Sequence, residues 1–431
     1  MTRVLAVCLV CWTCAGGADG GAGERGALGL ADRIDSGAVA AELEQRLLTP
    51  FLARHPGLEL DLRPVLGATR DAYRRALLSA LAGDDPPDVF LLDDDDVPRV
   101  VDRGSALDLA PYLGRVGVDP ARYDQTLLAV FRRGAGLYAL PKGYTPVVIA
   151  YNKDLLDRAA IPYPTDDWTW DDFLRVAKRL TRDTDGDGSI DEWGSAFDPR
   201  LALWLPWIWS GGGDVLCADG RRASGCLDSR ATVEALRWYA GWRSAGLSPR
   251  IQDARDAPGA IARLFASGHL ALMTTGHWAI PGLRASVAAG RLHVGFVALP
   301  HRAGVAPATV LYVSGYAVPP ATLRRKAALE LAADLSDSTA AVTRAEAGIE
   351  LPAIAAAAQA VAAADALGWE AAFLRAAAHG RPSWGARVGP WPQVAERLAD
   401  LMDRIIITGA DPARATGATA RELDRLLGAT R

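Results

Sequence analysis

Lysine is nearly missing from this 431-residue chain: Lys142, Lys153, Lys178 and Lys326 are the only four among 47 basic residues. The net charge is −4 and the pI lies near 5.9, so no basic footprint exists and nucleic acid is not an expected partner. Cysteine is also scarce. Of five, Cys8, Cys11 and Cys14 fall within the first fifteen residues, and only Cys217 and Cys226 remain beyond them. The six histidines (55, 269, 277, 293, 301 and 379) show no metal-ligand spacing. Beyond the N-terminus no run of about eighteen uncharged apolar residues occurs, which excludes a membrane-spanning helix there. There is no GxSxG elbow, no Gly-rich loop with GKS/T and no HExxH. A glycosidase needs only two carboxylates, and acids are plentiful, so that one enzyme class stays open.

Half the residues are hydrophobic and 23% are charged, a globular balance, and 431 residues exceed one ordinary core, so two lobes are expected. The first residues, MTRVLAVCLVCWTCAGGADGGAGERG, combine Arg3, a short apolar run and a Gly/Ala-rich tract. That is the layout of an export signal over 1–14 with a flexible tether over 15–26. Cys14, at the end of the apolar run, is the candidate for lipidation, giving a periplasmic or cell-surface protein held at the membrane. Export makes VLCADGRRASGCLD legible. Cys217 and Cys226 flank a Gly/Asp/Ser turn, and closure of a disulfide is expected; zinc is the rival reading, though two cysteines make half a site at most.

From about residue 26 strand-like and helix-like segments alternate. ALGLADR, LELDLRPVL and PDVFLLD read as strands, and VAAELEQRLLTPFLAR and YRRALLSALAG as helices between them. This βαβαβ pattern implies a mostly parallel sheet flanked by helices. In DWTWDDFLRVAKRL, Thr169 reads as an N-cap with Asp172 closing a capping box, and Trp168 as a staple on Phe173. That accounts for Trp168 without a ligand. Just beyond stands RDTDGDGSIDEWG, residues 182–194. Asp183, Asp185, Asp187 and Asp191 sit where a calcium loop places ligands 1, 3, 5 and 9, but Gly194 occupies position 12, which needs a bidentate acid. The loop does not match a complete sensor, and none is expected. The four aspartates remain candidates for a weaker structural calcium site, against a solvated Asp/Gly turn; no cofactor is required.

Taken in order, GDDPPDVFLLDDDD, LYALPKGYTPVVIAYNKDLLDRAAIP, DWTWDDFLRVAKRLTRDTDGDGSIDEWG, SGGGDVL, LFASGHLALMTTGHWAI, VGFVALP and SGYAVPP resemble the extracellular solute-binding proteins of ABC importers, in particular the sugar-binding group that includes maltose-binding protein. The resemblance implies a two-lobed α/β clamp with mixed sheets flanked by helices, crossed about three times: near Gly143–Val147, near Val310–Val313 and before the C-terminal helices. It implies an N-terminal lobe over 27–143 plus 311–378, and a C-terminal lobe over 144–310 plus 379–431. It further implies a monomer that captures a carbohydrate between the lobes and delivers it to membrane permease subunits. Polyols, glycerol phosphates and peptides are the alternative solutes.

A sugar offers hydroxyls to carboxylates and a flat apolar face to aromatic rings. Asp94 and Asp95 stand at the C-terminal end of a strand, where open α/β sheets bind ligands, and Asp95 matches the family's cleft carboxylate. Trp278 in TGHWAI matches a stacking position of the family. Tyr144 at the first crossover, Arg70, Trp204 and Trp207 among the thirteen tryptophans, and Trp384 near the last crossover complete the candidate set, with Trp391 behind them. The first strand lacks the family's usual tryptophan, which leaves Asp32 or Arg33 in that role.

Overall fold

The computed structural model describes residues 27–33, 38–63, 70–249 and 259–428. Cys14 and the expected signal and tether lie outside them. The first three strands, β1 (Leu28–Ala31), β2 (Leu60–Leu62) and β3 (Val89–Asp93), pair in parallel in the order β2-β1-β3. The helices Ala38–Arg54 and Arg70–Leu81 supply the two crossovers. β1 and β3 are buried along their whole length because both faces are covered, which is why they read as unbroken apolar runs. β2, by contrast, is a half-exposed edge.

A small hairpin, β4 (Arg132–Arg133) and β5 (Gly136–Leu137), leads into β6 (Leu140–Pro146), which runs straight into β7 (Val148–Asn152). There the chain changes sheets. β7 joins β8 (Trp193–Ser195), β9 (Leu270–Thr275) and β10 (Val294–Val297) in a second sheet ordered β10-β7-β9-β8. After β10 the chain returns as β11 (Thr309–Ala317), which inserts antiparallel between β6 and β3. β12 (Leu351–Pro352) then pairs with β6, and β13 (Gly380–Pro382) with β11. The first sheet thus has seven strands, six of them in the order β12-β6-β11-β3-β1-β2. The parallel pairing expected from the N-terminal pattern holds for β1–β3 and recurs at β11–β13, but the other pairings of this sheet are antiparallel. The return strand enters from the other lobe running the opposite way, so the whole sheet is mixed. Gly315 marks the tightest point of that insertion: a Cβ there would lie 2.5 Å from the Leu140 carbonyl oxygen.

Two hydrophobic cores result. One surrounds the seven-stranded sheet and reaches the second sheet through Trp369 and Phe373 of the helix Trp369–Ala377, whose rings meet Phe296 of β10. The other packs the helices Trp170–Leu180, Leu201–Ser210 and Arg230–Ser244 with the C-terminal helices Trp391–Ile407 and Pro412–Gly428. Its centre is aromatic: Trp207 lies against Phe173, Trp238, Tyr239 and Trp242 at centroid distances of 4.6–5.8 Å. The capping box of Thr169 and Asp172 forms, and Trp168 packs edge-on against Phe173 at 5.7 Å as a staple. Cys217 and Cys226 are joined in a disulfide, which leaves no thiolate for zinc; positive-φ glycines, Gly220 and Gly225, shape the turn between them. Among the described residues no helix is long and apolar enough to cross a membrane.

Candidate functional site

The interface between the lobes is fixed by a few directed bonds. Pro206, inside the helix Leu201–Ser210, has no N–H for the carbonyl of Ala202 four residues back. That carbonyl accepts instead from the Tyr312 hydroxyl of β11 at 2.9 Å, which ties the second lobe to the crossing strand. On its other side Tyr312 carries the Arg70 guanidinium, 5.5 Å from its ring centroid.

Arg70 opens the helix Arg70–Leu81 and reaches the acidic turn after β3. It donates to Asp94 at 2.7 Å and to Asp93 at 3.2 Å, and stands 3.8 Å from Asp95. Arg33, following β1, also binds Asp93, at 2.6 Å. Burial alone would raise the Asp93 carboxyl, but Arg70 and Arg33 together hold it well below the usual carboxylate range. Asp94 is fully buried and has one arginine to share; burial and the neighbouring Asp95 push it up to about 7. Ser383, just past β13, donates to Asp94 or Asp95, with oxygens at 3.0 and 2.7 Å. Asp32 accepts from the Tyr316 hydroxyl at 2.6 Å. Arg70, Asp94 and Asp95 are therefore brought together, against the third crossing that carries Trp384.

Trp278 lies elsewhere. It sits in the turn His277–Ala279 after β9, 45% exposed, on the wall of a pocket of about 580 Å³. Asp198, Arg200, Thr274, Thr275 and Leu283 share that wall. Asp198 and Arg200 form a two-pronged pair, Nε to Oδ1 at 2.9 Å and Nη2 to Oδ2 at 2.6 Å. Two bonds pin the turn that holds the indole: the His277 N–H donates to Thr145 Oγ1 of β6 at 2.8 Å, and the buried His277 Nε2 meets Glu370 at 2.6 Å. A half-open indole ringed by a carboxylate, a guanidinium and two hydroxyls can stack on a flat apolar face while exchanging hydrogen bonds with several hydroxyls.

The other candidate aromatics are placed differently. Trp204 and Trp207 have no exposed surface and belong to the second core, so neither presents a face to a cleft. Among the described residues their indole N–H groups have no hydrogen-bond partner. Tyr144 is 7% exposed, packed in β6 between β11 and β12, and burial raises its hydroxyl pKa. Trp384 is buried too, its N–H given to Asp214 at 2.7 Å. Trp391 starts a core helix. Asp198, Arg200 and Ser383 were missed by sequence reasoning. Asp198 follows β8 and precedes a helix, the strand-end position that singled out Asp94 and Asp95, and could have been found the same way.

In the Asp-rich loop, carboxylate oxygens of Asp183, Asp185 and Asp187 approach within 4.8 Å of one another, all exposed. Asp191 is not in that set: its carboxylate accepts from the Thr184 N–H at 2.6 Å and hydroxyl at 2.7 Å.

Residues 34–341, more than two thirds of the chain, match the sequence profile of the bacterial extracellular solute-binding proteins. The chain belongs to that family. A curated relative, a lipoprotein of unassigned role encoded upstream of oleD in Streptomyces antibioticus, is 30% identical over 160 residues; the match spans 35% of this chain and 32% of the relative. Solved structures align over nearly all of this solute-binding protein. An ABC substrate-binding protein from Listeria monocytogenes in complex with cycloalternan is 20% identical, with a TM-score of 0.81 over 93% of this chain and 99% of that one. The GacH receptor of Streptomyces glaucescens, studied with acarbose, is 19% identical, with a TM-score of 0.78 over 94% and 99%. UgpB of Mycobacterium tuberculosis, in complex with glycerophosphocholine, is 24% identical, with a TM-score of 0.77 over 92% and 99%. At these identities the likeness establishes a shared two-lobed fold of mixed sheets and flanking helices.

Proposed function

We propose that this solute-binding protein captures a carbohydrate, of oligosaccharide size, between its lobes and delivers it to the permease of an ABC importer without altering it. The observation that carries this reading is Trp278, half-exposed on a pocket of about 580 Å³ whose polar groups are Asp198, Arg200, Thr274 and Thr275. Structural neighbours holding cycloalternan and acarbose support the choice of solute. Arg70 and Asp95 supply the opposing polar face, with Asp94 buried behind them, and closure of the lobes about the crossings β6–β7, β10–β11 and after β13 encloses the solute. In this reading the N-terminal lobe takes 27–143 plus 311–378 and the C-terminal lobe 144–310 plus 379–431. The protein acts as a monomer outside the cytoplasm, anchored through a lipid on Cys14. It needs no cofactor; calcium at Asp183, Asp185 and Asp187 is an accessory, tested by titrating calcium against a chelator in thermal unfolding.

The glycerophosphocholine-bound neighbour supports a second reading, a phosphodiester solute. One experiment separates the two. The chain without its first fourteen residues is screened by thermal unfolding against mono- and oligosaccharides, polyols, glycerophosphodiesters and peptides. A solute at 100 times its dissociation constant stabilises by about 2.7 kcal/mol. A shift with saccharides and their recovery unchanged supports a sugar receptor; a shift with glycerophosphodiesters alone, or a hydrolysed product, refutes it.

A further inference from the structure

The turn that carries Trp278 is shaped by the residue two places before it. Gly276 stands between β9 and the turn His277–Ala279 with φ −135° and ψ −170°, extended backbone that any residue adopts. The chain conformation therefore does not require glycine here; the indole does. A Cβ at 276 would lie 2.5 Å from Trp278 Cη2 and 2.7 Å from Cε3, and closer still to Cζ3, so the six-membered ring rests on the bare α-carbon. That contact covers part of a ring that is 45% exposed, and the rest of its surface is left to the pocket it lines.

The residue between them is held from the other side. His277 is fully buried, and its ring packs edge-on against Phe373 at 4.9 Å. Its Nε2 lies 2.6 Å from Glu370, in the first turn of the helix Trp369–Ala377; a carboxylate only accepts, so Nε2 carries the hydrogen. Among the described residues His277 Nδ1 has no partner, which leaves Glu370 as the polar hold on the ring. Glu370 is itself fixed. It is 1% exposed, its own N–H donates to Asp365 at 2.8 Å, and Arg284 stands 3.7 Å from its other oxygen. The His277 N–H adds the bond to Thr145 of β6 at 2.8 Å. Consecutive side chains thus point in opposite directions, His277 into the core and Trp278 into the pocket, and the bond to Glu370 fixes the rotation of the turn that carries both.

We propose that Gly276 and Glu370 are positioning residues for solute recognition, a role that rests on Trp278 being the stacking ring. Gly276 is the seat on which the indole lies. Glu370, acting through His277, sets the turn so that the ring is oriented before a solute arrives. A surface side chain that becomes ordered only on binding loses its rotamer freedom at that step, which weakens Kd about two- to tenfold; a ring already seated avoids that loss.

The ring itself gives a readout that needs no solute. In the full-length protein labelled with 7-fluorotryptophan, whose fluorine sits on Cζ2 and so off the three ring atoms nearest Gly276, the Trp278 signal is the fluorine resonance that Trp278→Phe removes. The parent should show one sharp line for it. Gly276→Ala meets only the far end of a side chain, in ordinary backbone, so its Tm should stay within about 1 °C of the parent while the Trp278 line shifts or splits. Glu370→Ala should split the line as well, and Glu370→Gln, which keeps an acceptor for Nε2, should restore it. A purely structural Glu370 would lower the Tm and leave the line unmoved. Acarbose then serves as the solute: Gly276→Ala should raise its Kd about two- to tenfold, and should change nothing further once Trp278 is replaced by alanine. An unmoved line in Gly276→Ala, an unchanged Kd, or the same loss of affinity with and without Trp278 overturns the proposal. A parent that does not bind acarbose counts against the carbohydrate reading instead, and the fluorine spectra alone then decide the positioning.

Discussion

Replacing Trp278 by alanine separates recognition from stability. The indole is 45% exposed in the absence of solute, and a tryptophan side chain presents about 150–250 Å² to bury. A sugar face stacked on it would cover about 70–110 Å² of that surface. At about 25 cal/mol per Å² this amounts to roughly 1.7–2.8 kcal/mol, or about 20- to 100-fold in Kd. Little folding stability is at stake, because the turn is held by backbone and side-chain bonds at His277, to Thr145 and Glu370, that alanine at 278 leaves intact. Calorimetric titration of the parent and Trp278→Ala with the saccharide found by screening, alongside their Tm values, provides the assay. The expected pair of results is a Kd raised 20- to 100-fold and a Tm within about 1 °C. An affinity within twofold of the parent would refute stacking at Trp278, and with it the observation on which the carbohydrate reading rests.

Trp207→Ala should behave in the opposite way: removal of a fully buried indole from the aromatic core costs about 3–5 kcal/mol, read as a lower urea midpoint, with solute affinity unchanged while the protein is folded. Replacing Cys217 and Cys226 together by serine opens a loop with a sequence separation of 9, worth about 2.7 kcal/mol on the chain-entropy account, and should lower the Tm by about 3 °C. Asp94 carries a pH signature. Folded, it keeps its proton up to about pH 7, whereas the unfolded chain releases it near 3.8. Folding therefore takes up a proton between those values, and stability falls as pH rises from about 4 to 7, by at most about 4 kcal/mol. Asp94→Asn should flatten that fall in urea titrations run from pH 4.5 to 8; an unchanged slope would show that Asp94 is ionised throughout.

What could be read in the sequence, and what could not, follows from the range of the interactions involved. The capping box at Thr169 and the staple of Trp168 on Phe173 were legible because all their partners lie within five residues. The disulfide was legible because its cysteines flank one short turn, at a sequence separation of 9, once the N-terminus implied export. Trp204 and Trp207 were not, since a tryptophan in an apolar helix reads alike whether it faces a core or a cleft. The helices Trp170–Leu180, Arg230–Ser244 and Trp391–Ile407, packed from elsewhere in the chain, decide for the core. Pro206 in the same run was the better signal. A proline inside a helix leaves a carbonyl without its donor, and the Ala202 carbonyl is where the second lobe takes hold of Tyr312. The four consecutive aspartates pose the same difficulty as electrostatics. In sequence they are equivalent, and their separation into a strongly acidic Asp93, a proton-holding Asp94 and a partly exposed Asp95 depends on Arg33 and Arg70, each more than twenty residues away. A charge run thus marks where a site lies without assigning its roles. The roles come from which arginine the fold brings to which carboxylate, and in this protein those arginines arrive just after β1 and on the first turn of the helix after β2.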